Sequence, residues 1–371
     1  MCIAIIGAGH AGVEAAIAAR KAGAKVTLFS DEPLPPYFRP RLVALAFGQI
    51  QREAILMHPE AWYAAQGITL RLNAPVRTLD PASGRLTAGD GPAEPFDAFV
   101  FTCGARPVCP QFPFSPGALP ILPLWSVAEA ESIRTHVRPG ARVSVLGGGI
   151  LGIETALRAR EVGLAVTLIE RENRLMPLQF APDGSAMLQR LLELRGIVIR
   201  TGVTTVTASD LNGDFVALSI GARPNLALAK SAGLTIAKGI VVNTCLQTSH
   251  PRVFAAGDAV QFPEPARPCV REAVAQGRIA GANAAASAAG RPLVIHTPQH
   301  TPLTFKGGDL ELASAGYSGG DDSELRVLAE ETLPDTFRAL VIQSGILTGV
   351  QMVGVRKDFD SWSQRLGEPY P

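Results

Sequence analysis

Cysteine, net charge and long apolar runs are the three things this chain has little of. Five cysteines occur in 371 residues, at positions 2, 103, 109, 245 and 269. The number is odd, and none falls in CxxC or metal-ligand spacing. A disulfide framework and an iron–sulfur cluster do not fit that pattern, and no metal site is expected. The cysteines read as small buried hydrophobes in a reducing cytoplasm. The formal net charge is +1 with no block of like charge, so nothing draws the chain to nucleic acid or an anionic membrane. No uninterrupted run of about 18 apolar residues exists, and no membrane span is expected. The opening MCIAIIGAGHAG has no cationic start and runs into glycines, so it reads as a strand and not as a signal peptide. With 47% hydrophobic and 18% charged residues, the chain can bury two or three domain cores.

Glycine is where the sequence becomes specific. Residues 2–6, CIAII, suit a buried parallel strand. GAGHAG follows, with Gly7, Gly9 and Gly12 in GxGxxG spacing around His10 and Ala11. VEAAIAARKAG then has helical periodicity, and KVTLFS supplies a second strand. A lone GxGxxG is weak evidence, but in this strand–turn–helix–strand context it is strong. Glycines let a pyrophosphate approach the backbone at a helix N-terminus, where free N–H groups and the dipole favour an anion. The device recurs in RVSVLGGGILGIETALRAREVGLAVTLIE, residues 142–170. Gly147, Gly149, Ile150, Leu151 and Gly152 form the second turn, and Glu170 ends the second strand. A carboxylate there can accept hydrogen bonds from both ribose hydroxyls of an adenosine and repels a 2′-phosphate. NADH is therefore favoured over NADPH, although Arg171 and Arg174 lie close by. Two complete units imply two dinucleotides, and hence electron transfer between them.

With both units in place, the sequence resembles the FAD-dependent pyridine nucleotide–disulfide oxidoreductases over nearly its whole length. FDAFVFTCGARP (96–107) resembles the strand and turn that end the first FAD segment, with Cys103 replacing the usual threonine before Gly104. VALSIGARPN (216–225) resembles the matching exit from the NAD domain, through Gly221. VFAAGDAV (253–260) resembles the second FAD signature, which implies that Asp258, after Gly257, hydrogen-bonds the ribityl or pyrophosphate part of FAD. REAVAQGRIAGANAAA (271–286) resembles the helix whose N-terminus faces the flavin pyrimidine and steadies the anionic reduced ring. Within the class, PPYFRPRL (35–42) resembles the PYxRPxL segment of rubredoxin and ferredoxin reductases and of the FAD-binding part of nitrite reductase large subunits. That resemblance implies that Asp31 or Glu32 meets the FAD adenosine ribose and that Arg39 and Pro40 lie beside the pyrophosphate and flavin. FRALVIQSGILTGVQMVGVRKDF (337–359) resembles the antiparallel strands of the same branch's C-terminal domain.

The chain departs from the branch in three places. Val43 and Ala44 stand where a lysine usually pairs with the glutamate of the second glycine motif, here Glu154. A buried unpaired carboxylate is costly, so either another cation serves, with Arg41 the candidate, or Glu154 titrates high. TTVTASDLNGDFVAL (204–218) is too short for the usual β-meander and leaves one turn at Asn212-Gly213. The C-terminal domain, residues 293–371, lacks the His–Glu pair of the disulfide reductases, and His296 and His300 near its start read as structural or exposed.

The expected fold is α/β, with two Rossmann-like dinucleotide-binding domains, for FAD and NAD, and a small α+β C-terminal domain. The FAD domain is discontinuous, 1–112 and 237–292, around an NAD domain at 113–236. Residues 301–359 alternate as an antiparallel sheet, with Ser344-Gly345 as a turn. The resemblance implies that NADH stacks its nicotinamide on the flavin and passes a hydride to it, a step that depends on positioning more than on acids and bases. Residues 36–50 contain no cysteine, so the disulfide exit is closed. The electrons then go to an external rubredoxin, ferredoxin or other carrier. The alternatives are an NADH oxidase or a nitrite-reductase-like electron donor, and, from another class, an FAD/NAD-binding redox sensor with little turnover. The chain is expected to act in the cytoplasm as a monomer or homodimer.

Overall fold

The computed structural model describes residues 1–112, 119–211, 213–262, 264–265, 269–298, 302–319, 323–328 and 335–370. From the N-terminus the chain forms β1 (Cys2–Ile6), α1 (His10–Lys21), β2 (Lys25–Phe29), α2 (Leu42–Ala46), β3 (Ile68–Arg71) and β4 (Ala98–Phe101). Next come β5 (Ile121–Pro123), α3 (Val127–Arg134), β6 (Arg142–Leu146), α4 (Ile150–Glu161), β7 (Ala165–Ile169), α5 (Pro182–Leu194), β8 (Ile197–Arg200) and β9 (Phe215–Leu218). The remainder holds β10 (Val253–Ala255), α6 (Val270–Ala288), β11 (Leu303–Gly307), β12 (Leu310–Gly316), β13 (Glu324–Val327), β14 (Phe337–Gln343), β15 (Ile346–Val353) and α7 (Phe359–Gln364).

Two compact units result. The first comprises Met1–Arg39, Arg52–Arg106 and Ala222–Gln299, and the second Pro40–Gln51, Pro107–Gly221 and His300–Pro371. The chain's contacts thus break after 106, 221 and 299, where the sequence places breaks after 112, 236 and 292. They also join residues 40–51 and the C-terminal segment to the second unit.

The first unit is built on a parallel sheet of order β10-β4-β1-β2-β3. β1 is apolar on both sides because both faces are covered. Ile3 and Ile5 join one core with Ala11, Ala15 and Ala284, while Ala4 and Ile6 join another with Phe99, Phe101 and Leu86. On the first face α1 and α6 approach backbone to backbone. A Cβ at Gly277 would fall on the Ala11 carbonyl, and one at Gly281 on the Ala15 carbonyl. On the second face lies an antiparallel ribbon of Val76–Asp80, Arg85–Ala88 and Glu94–Pro95.

The second unit repeats the plan with the parallel order β8-β7-β6-β9-β5. Between β8 and β9, where the first unit has its ribbon between β3 and β4, the described residues make one 3-10 turn, Ala208–Asp210. Thr207 and Asp210 cap it reciprocally, and Arg200 pairs with Asp210 at 2.6 Å. Asn212 lies outside the described residues, as does His300. α2 buries Leu42, Val43, Leu45 and Ala46 and packs in this unit against α3 and α4. The C-terminal segment forms an antiparallel sheet, order β11-β12-β15-β14-β13. Ser344 (φ 51°) and Gly345 (φ 75°) both take positive φ in the two-residue turn between β14 and β15, as a tight hairpin requires. The Gln351 side chain accepts from the Ala181 N–H at 2.7 Å, and Arg195 pairs with Asp309 at 2.6 Å, which joins this sheet to α5.

Candidate dinucleotide sites

The two glycine turns have the same geometry. Gly7 and Gly147 both sit at φ +107°, which only glycine adopts without strain. Gly7 N–H donates to the Phe29 carbonyl at 2.9 Å, and Gly147 N–H to the Ile169 carbonyl at 2.8 Å. A Cβ at Gly7 would strike the Thr102 carbonyl, and one at Gly147 the Ser219 carbonyl. A Cβ at Gly12 would strike the Gly7 carbonyl, and one at Gly152 the Gly147 carbonyl. Gly9 and Gly149 differ from these, because a Cβ at either meets nothing within 4 Å. Their faces are open, as a pyrophosphate lying against the backbone requires.

Both helices that leave these turns begin bare. α1 and α4 have glycine N-caps, no capping side chain and no acid in the first turn. α3, by contrast, starts with a Ser126–Glu129 capping box. The amides that α3 satisfies internally are free in α1 and α4 for an anion. His10, the first residue of α1, has a buried Nε2 with no protein partner. Burial first, and then the Arg39 charge, hold its imidazole down to about 4, so it is neutral at physiological pH.

Arg39 is the centre of the first unit's polar cluster. Its guanidinium pairs with Glu32 at 2.9 Å, and the Tyr37 hydroxyl donates to the other Glu32 oxygen at 2.6 Å. Its charge also reaches Asp258, whose carboxyl burial pushes up and Arg39 pulls back. Asp31 is exposed, and its charge reaches Cys103. The Cys103 thiol donates to the Asn225 carbonyl at 3.4 Å, and burial pushes it up to about 12. Gly104 (φ 59°) and Gly221 (φ 97°) turn the chain out of the two sheets. The hydroxyl that serves the first glycine turn belongs to Thr102, one residue before Cys103. It donates to the Gly7 carbonyl at 2.7 Å.

In the second unit the Glu170 carboxylate accepts from Gly148 N–H at 2.5 Å and from Glu172 N–H at 2.8 Å, which places it against the glycine turn. Arg171 is exposed and pairs with Glu172 at 2.8 Å. Glu154 lies one turn along α4, and burial pushes its carboxyl up to about 7. Arg158, the next turn of the same helix, is the cation whose charge opposes that shift. The side chains of Glu272, Gln276 and His296 meet in the first unit although they lie up to 24 residues apart, a grouping that no local sequence signal marks.

The family model for pyridine nucleotide-disulphide oxidoreductases matches residues 1–289. The chain belongs to that family. Rhodocoxin reductase of Rhodococcus erythropolis is 33% identical over 291 residues, which is 72% of this chain and 66% of that protein. Rubredoxin-NAD(+) reductase of Ectopseudomonas oleovorans is 30% identical over 286 residues, 71% of this chain and 73% of that protein. The match thus spans about two thirds of these relatives' own lengths. Among solved structures, putidaredoxin reductase in its covalent complex with putidaredoxin superposes with a TM-score of 0.85 at 27% identity, covering 99% of this chain and 94% of that one. The residues of this oxidoreductase fit the family's two dinucleotides: open Gly9 and Gly149, bare helix starts, and a carboxylate at each second strand. Among the described residues no group of three or more His, Cys, Asp and Glu could hold a metal ion, and no helix is long and apolar enough to cross a membrane.

Proposed function

We propose that the protein is an FAD-dependent NADH:acceptor oxidoreductase that passes electrons to a small external carrier such as a rubredoxin or ferredoxin. The observation that carries this is the pair of matching glycine turns, each open at its second glycine, in a chain whose five cysteines are all unpaired. Bound FAD supplies the exchange between a two-electron hydride donor and one-electron acceptors. The chain's own residues bind and orient. Gly9 and the start of α1 admit the FAD pyrophosphate, Asp258 holds the adjoining chain of the cofactor, and Arg39 tethers Glu32 while offsetting the charge on Asp258. Gly149, the start of α4 and Glu170 receive NADH. Glu170 disfavours a 2′-phosphate, and the adjacent Arg171 pairs with Glu172. Arg41 is the proposed partner of Glu154 during reduction by NADH, and Arg41→Ala is expected to slow that step.

Cys103 does not suit the exit, because burial pushes its thiol up to about 12, which favours the protonated form at neutral pH. Unpaired cysteines also suit a cytoplasmic location. Anaerobic reduction by NADH, followed by reoxidation with O₂, rubredoxin or ferredoxin, tests the reading. Rapid reoxidation by O₂ alone would make the protein an NADH oxidase, and negligible reduction by NADH would make it a sensor.

A further inference from the structure

A buried chain of side-chain hydrogen bonds ends on the second FAD signature. His296 Nε2 lies 2.6 Å from Glu272 Oε1, with the His296 side chain 4% exposed and Glu272 16%. The same Glu272 oxygen accepts from Gln276 Nε2 at 3.0 Å, and Gln276 Oε1 accepts from the Gly257 N–H at 2.8 Å. Glu272 and Gln276 are one turn apart on α6. His296 comes from the segment that returns after that helix. Asn283 holds the return by bonding both backbone groups of Val294 at 2.8 Å, and the His296 N–H donates to the Thr244 carbonyl at 2.8 Å.

The chain has a polarity. A carboxylate only accepts, so Glu272 forces the Gln276 amide to present its nitrogen there and its oxygen to Gly257. Without that constraint the amide could turn over and meet the Gly257 N–H donor to donor. Gly257 sits at φ +78°, with its α-carbon facing the Ala11 methyl of the phosphate turn, and it directly precedes Asp258. Buried polar chains cost more than apolar packing and are kept where orientation matters. We propose that His296, Glu272 and Gln276 are positioning residues that set FAD affinity by fixing the Gly257 peptide and, through it, Asp258; this rests on the FAD reading of the first unit.

The test strips flavin from the full-length protein and titrates the apoprotein with FAD, following flavin fluorescence, the visible spectrum of the bound flavin and the melting temperature. His296→Leu removes the donor and is expected to weaken FAD binding by about tenfold or more. His296→Gln keeps an Nε2–H donor at similar reach and is expected to restore affinity to within about threefold. Glu272→Gln keeps the shape, frees the Gln276 amide to invert, and is expected to weaken binding as His296→Leu does. A lower melting temperature with unchanged FAD affinity, or equal losses in the Leu and Gln variants, overturns the proposal. If His296→Leu does not fold, an unchanged FAD affinity in Glu272→Gln overturns it alone. A wild-type chain that binds no FAD at any concentration would sink the cofactor reading, and this proposal with it.

Discussion

Thr102 and Glu154 show how single side chains set the two sites. Thr102 Oγ1 donates to the Gly7 carbonyl at 2.7 Å from a position 95 residues away. Removing that hydroxyl leaves a buried acceptor at the phosphate turn, so Thr102→Val is expected to lower stability by about 1–2 kcal/mol in a urea titration and to weaken FAD binding. Glu154 sets a pH dependence. Its native carboxyl sits near 7, above the ordinary value of 4.5, so the folded state binds more protons between those limits. Glu154's contribution to stability therefore falls as pH rises from about 4.5 to 7 and is level beyond, a loss of roughly 3 kcal/mol at most, while His10, held down to about 4 from 6.5, contributes in the opposite sense over much of the same window. Glu154→Gln, neutral throughout, is expected to remove that fall, so that its stability relative to the parent rises between pH 5 and pH 8 in denaturant titrations. An equal slope in both proteins would assign the dependence to another group. The glycines were legible from residue type because a positive φ demands them. Thr102 was not, because its role depends on which strand lies beside β1.

At the level of elements, the glycines fall into two kinds with separable effects. Gly281 faces the Ala15 backbone, so a Cβ there pushes α1 and α6 apart. Gly281→Ala is expected to cost about 2–3 kcal/mol, read by thermal or chemical unfolding. Gly9 and Gly149 face open space at φ −80°, a conformation any residue adopts. Gly9→Ala is expected to leave stability within about 0.5 kcal/mol of the parent while weakening FAD binding severalfold. Gly149→Ala is expected to leave FAD bound and raise the KM for NADH. Equal loss of both cofactors in either variant would contradict the assignment of one turn to each. The strand–turn–helix units were readable because strand, glycine turn and bare helix start are all local signals. α2 was not: RPRLVALA reads as part of the FAD segment, yet four of the five residues of α2, LVALA, are buried in the second unit. Val43 is buried and Ala44 half-buried on that helix, where the branch carries its lysine.

For the whole molecule, the decisive question is where electrons leave. With burial pushing the Cys103 thiol up and no cysteine in residues 36–50, alkylating the exposed Cys109 or replacing Cys103 and Cys109 by serine is expected to leave NADH-dependent reduction of an external acceptor unchanged. Loss of turnover on alkylation would reopen a thiol route. The sequence by itself determined the two dinucleotide units, the shortened meander at 204–218 and the antiparallel C-terminal sheet, because periodicity, glycine spacing and turn residues act over a few neighbouring positions. Only the tertiary structure decided the rest: the neutral His10, the raised Glu154, the Arg39–Glu32–Tyr37 cluster, the joining of 40–51 to the second unit and the His296–Glu272–Gln276 chain. Each of these depends on burial or on contacts between distant segments, and a charge's environment is set by what folds over it, not by what stands beside it in the chain.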